Sequence, residues 1–513
     1  MSSTKTAVAE SLPGTDVEPE QLDQRELENY LWGAAVRLRG LIDAGDYKQF
    51  IFPLLFFKRI CDVHDEEREQ ALAMYDGDAE LAAKEENYQF QIPEGHHWTE
   101  VREARSGLGG ALAKAMKAIE KANLEQLGGV FGDAQWTNTE RLSDATLRDL
   151  LEHFSTQVLS LARVPEDELG RGYEYLVKKF ADDSGHTAQE FYTNRTLVRL
   201  MTRMLEPEPG ETVYDPTCGT GGMLVTAAAE LKRQGKDHRR LALYGQEFNV
   251  MTSSIARMNL YLHGIENFRV ERGDTLAEPL FFEGDRLRRF DVVLANPPYS
   301  IKGWKRALFA KDPYQRNMWG VPPQGRADYA FFQHIAASLD PETGRCAILF
   351  PHGVLFREDE RAMRERLIES DLLECVLGLG PGLFYNSPME ACVVVMRTRK
   401  RPGREGKALF IDAAHLIERV RGQSFLSEEH IAEILRAYRG CQDVDGFSRD
   451  MERDALLNGG ADLAINRIVG TRPSNGVVDG EVPLRQALAQ WDVHTTAMTR
   501  QVAGLVARLR GGE

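Results

Sequence analysis

The chain has 513 residues, 42% of them apolar and 27% charged, a globular mixture that excludes wholesale disorder, collagen-like repetition and a disulfide-dense scaffold. At ~100–200 residues per domain, it is expected to fold as about three units. Its 63 basic and 78 acidic residues leave a net charge of −15, which argues against coating nucleic acid through net charge and leaves only local basic patches for that purpose.

Residues 1–24 are rich in Ser, Thr, Pro, Asp and Glu and read as a mobile acidic arm. From residue 25 to 165 apolar side chains recur at helical spacing, as in Leu31, Ala34, Ala35 and Leu38 and later Leu112, Met116 and Ile119, which predicts an N-terminal helical domain. The N-terminus carries no apolar signal-peptide core, and the longest apolar run, Ile51 to Phe57, contains Pro53 and ends at Lys58. A bilayer span takes ~20 apolar residues, so no membrane insertion is expected. Cys61, Cys218, Cys346, Cys375, Cys392 and Cys441 form no C-x-x-C pair, which suggests neither a zinc cage nor a disulfide framework and fits a reducing cytoplasm. His96 and His97 lack neighbouring ligands and are expected to be structural or exposed; no metal site is expected.

Between Leu197 and Arg397 short apolar runs alternate with helical stretches: Thr212–Tyr214, Leu241–Tyr244, Phe268–Val270, Asp291–Ala295, Cys346–Phe350, Leu373–Leu377 and Cys392–Met396. This alternation predicts an α/β domain over residues 166–411, a mainly parallel sheet with crossover helices on both faces, completed by a strand at Ala408–Ile411. The basic segment Arg397–Lys407, broken by Pro402 and two glycines, reads as a loop. Residues 412–513 are expected to be a helical, partner-docking region. In its last stretch Leu488, Trp491, Met498, Val502, Leu505 and Leu509 form a stripe that packs on its own chain or on a partner helix.

The strand ending at Asp215 is followed by a glycine-rich turn, Gly219, Thr220, Gly221 and Gly222, and then by a helix. Glycines let the backbone approach a ligand, and a fresh helix N-terminus offers unpaired N–H groups. Leu224 occupies the place of the third glycine of a dinucleotide fingerprint, and no Walker A loop occurs in the chain, which disfavours NAD and a P-loop nucleotide. Asp215 suits a ligand with cationic character, such as the amino group of a sulfonium-linked amino acid. Glu247, at the end of the next strand, is placed to accept ribose hydroxyls. Asp274 is placed to accept an adenine amino N–H. A single acid of this kind is more often a helix cap, but three behind one glycine turn favour a ligand.

The run Asp291–Ala295 ends at Asn296, Pro297, Pro298 and Tyr299. Two prolines fix φ near −65° and donate nothing to a ladder, so this corner holds its carbonyls outward. If Asn296 Oδ1 and the Pro297 carbonyl accept both N–H bonds of an exocyclic amino group, its nitrogen is pushed toward tetrahedral geometry and its lone pair can attack a methyl group. Tyr299 offers a stacking face, worth ~1–3 kcal/mol per base. A base in a duplex reaches such a pocket only by flipping out.

These motifs resemble those of the methyltransferase (M) subunits of type I restriction-modification systems, N6-adenine DNA methyltransferases that use S-adenosylmethionine. The likeness runs from about Leu31 to Tyr438. It includes a segment similar to the family's methionine-side cofactor segment (Glu190, Phe191, Tyr192, Thr193, Asn194, Arg195), an N-terminal segment from Asp46 to Ile60, and the later segments Arg326–Phe331 and Gly382–Tyr385. The resemblance implies a Rossmann-like methyltransferase sheet, cofactor contacts at 190–195, 220–222 and Glu247, and a catalytic pocket at 296–299. Its departures are Asn194, where the family commonly has Pro, and Gly380, within a usually proline-rich turn. Implied partners are double-stranded DNA, a separate specificity subunit, a second copy of the chain and a restriction/translocase subunit. Lys302, Trp304, Lys305 and Arg306, with Lys311 and Arg316, are expected to face DNA; the loop Arg397–Lys407 is either solvated or does the same. Two other readings stand beside this one: a non-catalytic, cofactor-binding assembly subunit, and a stand-alone adenine methyltransferase.

Overall fold

Each sheet strand sends alternate side chains to opposite faces, so the apolar runs of this chain can bury both sides of a sheet. The computed structural model describes residues 21–183, 193–299, 301–383, 390–420 and 423–470. Among these, nine strands form one sheet: β1 (Thr212–Asp215), β2 (Ala242–Glu247), β3 (Phe268–Arg272), β4 (Val292–Ala295), β5 (Arg345–Pro351), β6 (Leu373–Leu379), β7 (Ala391–Arg397), β8 (Lys407–Ala413) and β9 (Ser448–Glu452). Their spatial order is β9-β8-β6-β7-β5-β4-β1-β2-β3. The sheet is parallel as expected except at β7, antiparallel to both β5 and β6, and at β9, antiparallel on β8. The connection from β6 to β7, residues 380–390, is shorter than the dozen or so residues a parallel crossover needs, so the chain returns antiparallel.

The alternation builds two cores. Val213, Val292, Leu294, Ala347 and Val393 face one side, covered by α6 (Arg195–Leu205), α7 (Gly222–Arg233) and α8 (Val250–Leu262). Tyr214, Val293, Cys346, Ile348 and Val394 face the other, covered by α9 (Asp328–Ala337). The helical body before them contains α1 (Gln24–Leu38), α2 (Lys48–Met74), α3 (Leu108–Ala122), α4 (Asp144–Phe154) and α5 (Glu166–Asp183). Asp23 opens α1 with a capping box, its carboxylate accepting the Glu26 amide at 2.8 Å while the Glu26 carboxylate accepts the Asp23 amide. In α2, Lys58 and Arg59 are buried. Lys58 pairs with Asp62, and Arg59 donates to the carbonyls of Leu159, Ser160 and Val164 at 2.5–2.8 Å. His97 caps the short helix Trp98–Glu103 and lies 3.3 Å from Asp65, a structural position.

Two boundaries differ from expectation. Leu169, Tyr173, Leu176 and Phe180 of α5 lie in the helical core, so that body continues past residue 165. The same core takes in Ile255, Met258 and Leu262 of α8, while Ala256 and Leu260 of that helix enter the sheet core. Because α8 is a wall of both cores, a single compact unit runs as far as Val469 instead of separate helical and α/β units. Beyond residue 411 the described chain is not purely helical: the short hairpin strands Glu418–Val420 and Gln423–Phe425 and the edge strand β9 flank α10 (Glu428–Gly440). Residues 1–20 of the expected arm and the expected helix from Leu484 to Leu509 lie outside the described residues. No helix among the described residues is long and apolar enough to cross a membrane.

Candidate active site

The parallel strands β1 to β4 end at one edge of the sheet, and the sequence places a polar residue at each end. Asp215 closes β1, where it is 2% exposed, and its Oδ1 accepts the Thr217 amide at 3.0 Å. Burial, reinforced by nearby Glu247, pushes its carboxyl up to about 8. Gly219 and Gly221 then take φ of +54° and +79°, left-handed values that favour glycine. The turn sits tightly on β2, because a β-carbon at Gly245 would come within 2.8 Å of Cys218 Sγ.

Glu247, at the end of β2, clasps this turn: Oε2 accepts the Gly219 amide at 3.0 Å and Oε1 the Asn249 amide at 2.8 Å. Each carboxylate oxygen can accept more than one hydrogen bond. Asp274, after β3, uses Oδ1 to cap its own turn, accepting the amides of Leu276 and Ala277 at 3.1 Å. Thr220 is buried, and its carbonyl accepts Asn259 Nδ2 at 2.9 Å.

The corner at Asn296 leaves β4, whose Val293 is paired with Tyr214, the residue before Asp215. Asn296 and the glycine turn therefore leave adjacent strands at the same edge. Asn296 and Tyr299 are half-buried, Pro297 is buried and Pro298 is exposed. The Asn296 amide is held at both ends. Its Nδ2 donates to Thr193 Oγ1 at 2.9 Å, and its Oδ1 accepts the Tyr299 hydroxyl. Burial pushes the Tyr299 phenol well above its ordinary range, which keeps it a protonated donor. Its ring packs against both sheet cores, not outward as a free platform.

Of the segment 190–195, Glu190, Phe191 and Tyr192 lie outside the described residues, as do Phe384 and Tyr385. Thr193 meets Asn296. Asn194 caps α6: its Oδ1 accepts the Thr196 amide at 3.1 Å, while its Nδ2 donates to the Ser424 carbonyl at 2.8 Å. Arg195, expected at the cofactor, is turned toward the helical body. It pairs with Glu174 of α5, and its guanidinium lies where a β-carbon on Gly222 would be. Burial opposes ionisation of Glu174, but Arg195 and His263 overcome it and hold the carboxyl below its usual value.

The expected DNA-facing cluster separates into two groups. Lys302 and Lys305 are exposed. Trp304 is 6% exposed in the core with its indole N–H on the Gln324 carbonyl at 3.0 Å, and half-buried Arg306 donates to the Pro322 carbonyl at 2.7 Å. Arg316 is buried outright. It donates to Asp312, to the carbonyls of Thr275 and Leu276 at 2.8 Å, and to His334 Nδ1 at 3.2 Å. Burial and then Arg316 hold His334 well below its ordinary value, so it stays neutral. In the loop Arg397–Lys407, Arg397, Lys400 and Arg404 pair with Glu374, Asp371 and Asp450. Phe248, overlooked in the sequence reading, directly follows Glu247 and is 73% exposed. An aromatic residue immediately after a strand-end acid was the available signal.

Residues 164–475 match the N-6 DNA Methylase family and residues 27–154 the HsdM N-terminal domain. The chain is 27% identical to the type I restriction enzyme MjaIX methylase subunit of Methanocaldococcus jannaschii, over 90% of this chain and 87% of that one. It is 31% identical to the HindI methylase subunit of Haemophilus influenzae, over 71% and 84% respectively. The crystal structure of the type I restriction-modification system methyltransferase subunit from Streptococcus thermophilus superposes with a TM-score of 0.75 at 29% identity, covering 88% of this chain and all of that one. With the family match spanning most of its length, the chain belongs to the N-6 DNA methylase family, among the methylase subunits of type I restriction enzymes.

Proposed function

We propose that this chain transfers a methyl group from S-adenosylmethionine to N6 of a flipped adenine in DNA, as the modification subunit of a complex whose sequence choice comes from a separate specificity subunit. The observation that carries the reading is the common edge shared by the Asn296–Pro297 corner and the turn between Asp215 and Glu247. The residues fit the cofactor. The buried Asp215 carboxyl, held protonated up to about 8, is one that a cationic neighbour would draw into its ionised form, the left-handed glycines admit a ligand against the backbone, and the Glu247 carboxylate has the chemistry that accepts ribose hydroxyls. When bound, S-adenosylmethionine supplies a methyl group activated by its sulfonium centre.

The protein's part is to orient and to polarise. Asp215 balances the charge of the methionine end, and the exposed Phe248 ring offers a face to a purine. Asn296 Oδ1 and the Pro297 carbonyl accept the amino N–H bonds of the target base, with no strong general base required. Asn296 Oδ1 has two lone pairs, so it can accept from the base beside the Tyr299 hydroxyl. Exposed Lys302 and Lys305 are suited to phosphate contacts.

The test is equilibrium binding of labelled S-adenosylmethionine together with methyl transfer to DNA, by the chain alone and by the chain co-expressed with its genomic neighbours. The expected result is cofactor binding in both cases and efficient transfer only in the second. Binding without transfer in both favours a non-catalytic assembly subunit, and full site-specific transfer by the chain alone favours a stand-alone enzyme.

A further inference from the structure

An amide side chain has two ends of nearly the same shape and opposite hydrogen-bonding character. If Asn296 is to accept the amino N–H of a base, as the proposed function requires, its oxygen must face the pocket. The reversed amide would set donor against donor. The Tyr299 hydroxyl holds the oxygen end by donating to Oδ1, whose two lone pairs let it accept from the base as well.

The other end of the amide is held as well. Asn296 Nδ2 donates to Thr193 Oγ1 at 2.9 Å. Thr193 directly precedes Asn194, the cap of α6, whose side chain is tied to the Thr196 amide at 3.1 Å, the Thr196 hydroxyl at 2.9 Å and the Ser424 carbonyl at 2.8 Å. The next residue, Arg195, is paired with Glu174. The Thr193 hydroxyl is thus presented from an anchored helix start, on the side of Asn296 away from the Tyr299 contact. We infer that Thr193 is a positioning residue: its hydroxyl accepts from Asn296 Nδ2 and, with the Tyr299 hydroxyl at the other end, holds the amide with its oxygen toward the target amino group. This gives Thr193 a task distinct from the cofactor contact expected from its segment, and it rests on the reading of Asn296 given above.

The test uses the full chain co-expressed with its genomic neighbours, in four variants: Thr193→Val, Thr193→Ala, Thr193→Ser and Asn296→Ala. Equilibrium binding of S-adenosylmethionine and single-turnover methyl transfer at saturating cofactor are measured for each. Thr193→Val and Thr193→Ala should slow transfer by about 10- to 100-fold, within the range lost when one preorganised polar contact at a reacting centre is removed, while cofactor affinity stays within about 2-fold. Thr193→Ser, which keeps the acceptor, should recover most of the rate. Wild-type transfer by both Thr193→Val and Thr193→Ala overturns the inference, as does a loss of cofactor affinity that accounts for the slower rate. If Asn296→Ala is inactive while those two variants are not, only the inference fails. If Asn296→Ala still transfers methyl groups, the underlying reading fails with it.

Discussion

Glu174, on the last helix of the N-terminal body, is ion-paired with Arg195, the first residue of a helix that packs on the sheet. The pair is mostly buried, and Glu174 also accepts Asn259 Nδ2, which in turn donates to the Thr220 carbonyl at 2.9 Å. The helical body thereby braces the glycine turn from behind. Glu174→Ala removes the buried carboxylate that pairs with Arg195 and should destabilise the protein by about 3 kcal/mol. It should also weaken S-adenosylmethionine binding, although Glu174 is not proposed to touch the cofactor. Thermal unfolding and equilibrium binding on the same preparation check both effects.

Asp215 makes a prediction whose sign is unusual for an acid. Its folded carboxyl lies at about 8, above the ~3.9 of an unfolded chain. Between about pH 4 and 8 the folded state therefore holds a proton that the unfolded state has lost, and stability from this group falls as pH rises across that window, levelling off above it. Asp215→Asn should raise the melting temperature of the ligand-free protein at pH 8 more than at pH 5, and it should weaken cofactor binding. A melting series over pH, with and without S-adenosylmethionine, measures both.

Burial separates the basic residues that follow the Asn296 corner. Lys302→Ala and Lys305→Ala should leave folding intact, weaken DNA binding and reduce the salt dependence of that binding by roughly one unit of slope each. Trp304→Ala should instead destabilise the fold by ~3–5 kcal/mol, as deletion of a buried aromatic does. Arg316→Met should do so by a similar amount, because it strands Asp312 in the interior. Titrations at several salt concentrations, alongside thermal melts, distinguish the two groups.

Tyr299 combines a ring with a hydroxyl that donates to the proposed base acceptor. Tyr299→Phe keeps the ring and removes that hydrogen bond, so with the Thr193 contact retained methylation should persist and KM for DNA should not rise. Tyr299→Ala removes the ring too and, because that ring packs against both sheet cores, should lower the melting temperature in thermal unfolding as well as kcat/KM. Steady-state kinetics on the two variants separate ring from hydroxyl.

The central strands and the strand-end acids were legible because buried apolar runs ending in Asp215, Glu247 and Asn296 carry their own punctuation. The antiparallel return of β7 was not read, although the shortness of residues 380–390 was a signal for it. Strand β9 was not legible, since Ser448–Glu452 is a polar edge strand without an apolar pattern. Composition alone cannot tell an exposed lysine from a buried cation, so Arg316 was grouped with Lys302; its i,i+4 spacing from Asp312 was the missed clue. Asp274 shows the same limit, as its carboxylate also caps its own turn. The packing of α5 on α1 and α8 was not legible, because those partners lie far from it in sequence and no local pattern encodes that contact.

The most direct measurement is nucleoside mass spectrometry of DNA from cells expressing this chain with its genomic neighbours, beside cells expressing the Asn296→Ala variant at equal level. The account predicts N6-methyladenine in the first DNA and none above background in the second. N6-methyladenine at equal levels in both, or none in either, would contradict it.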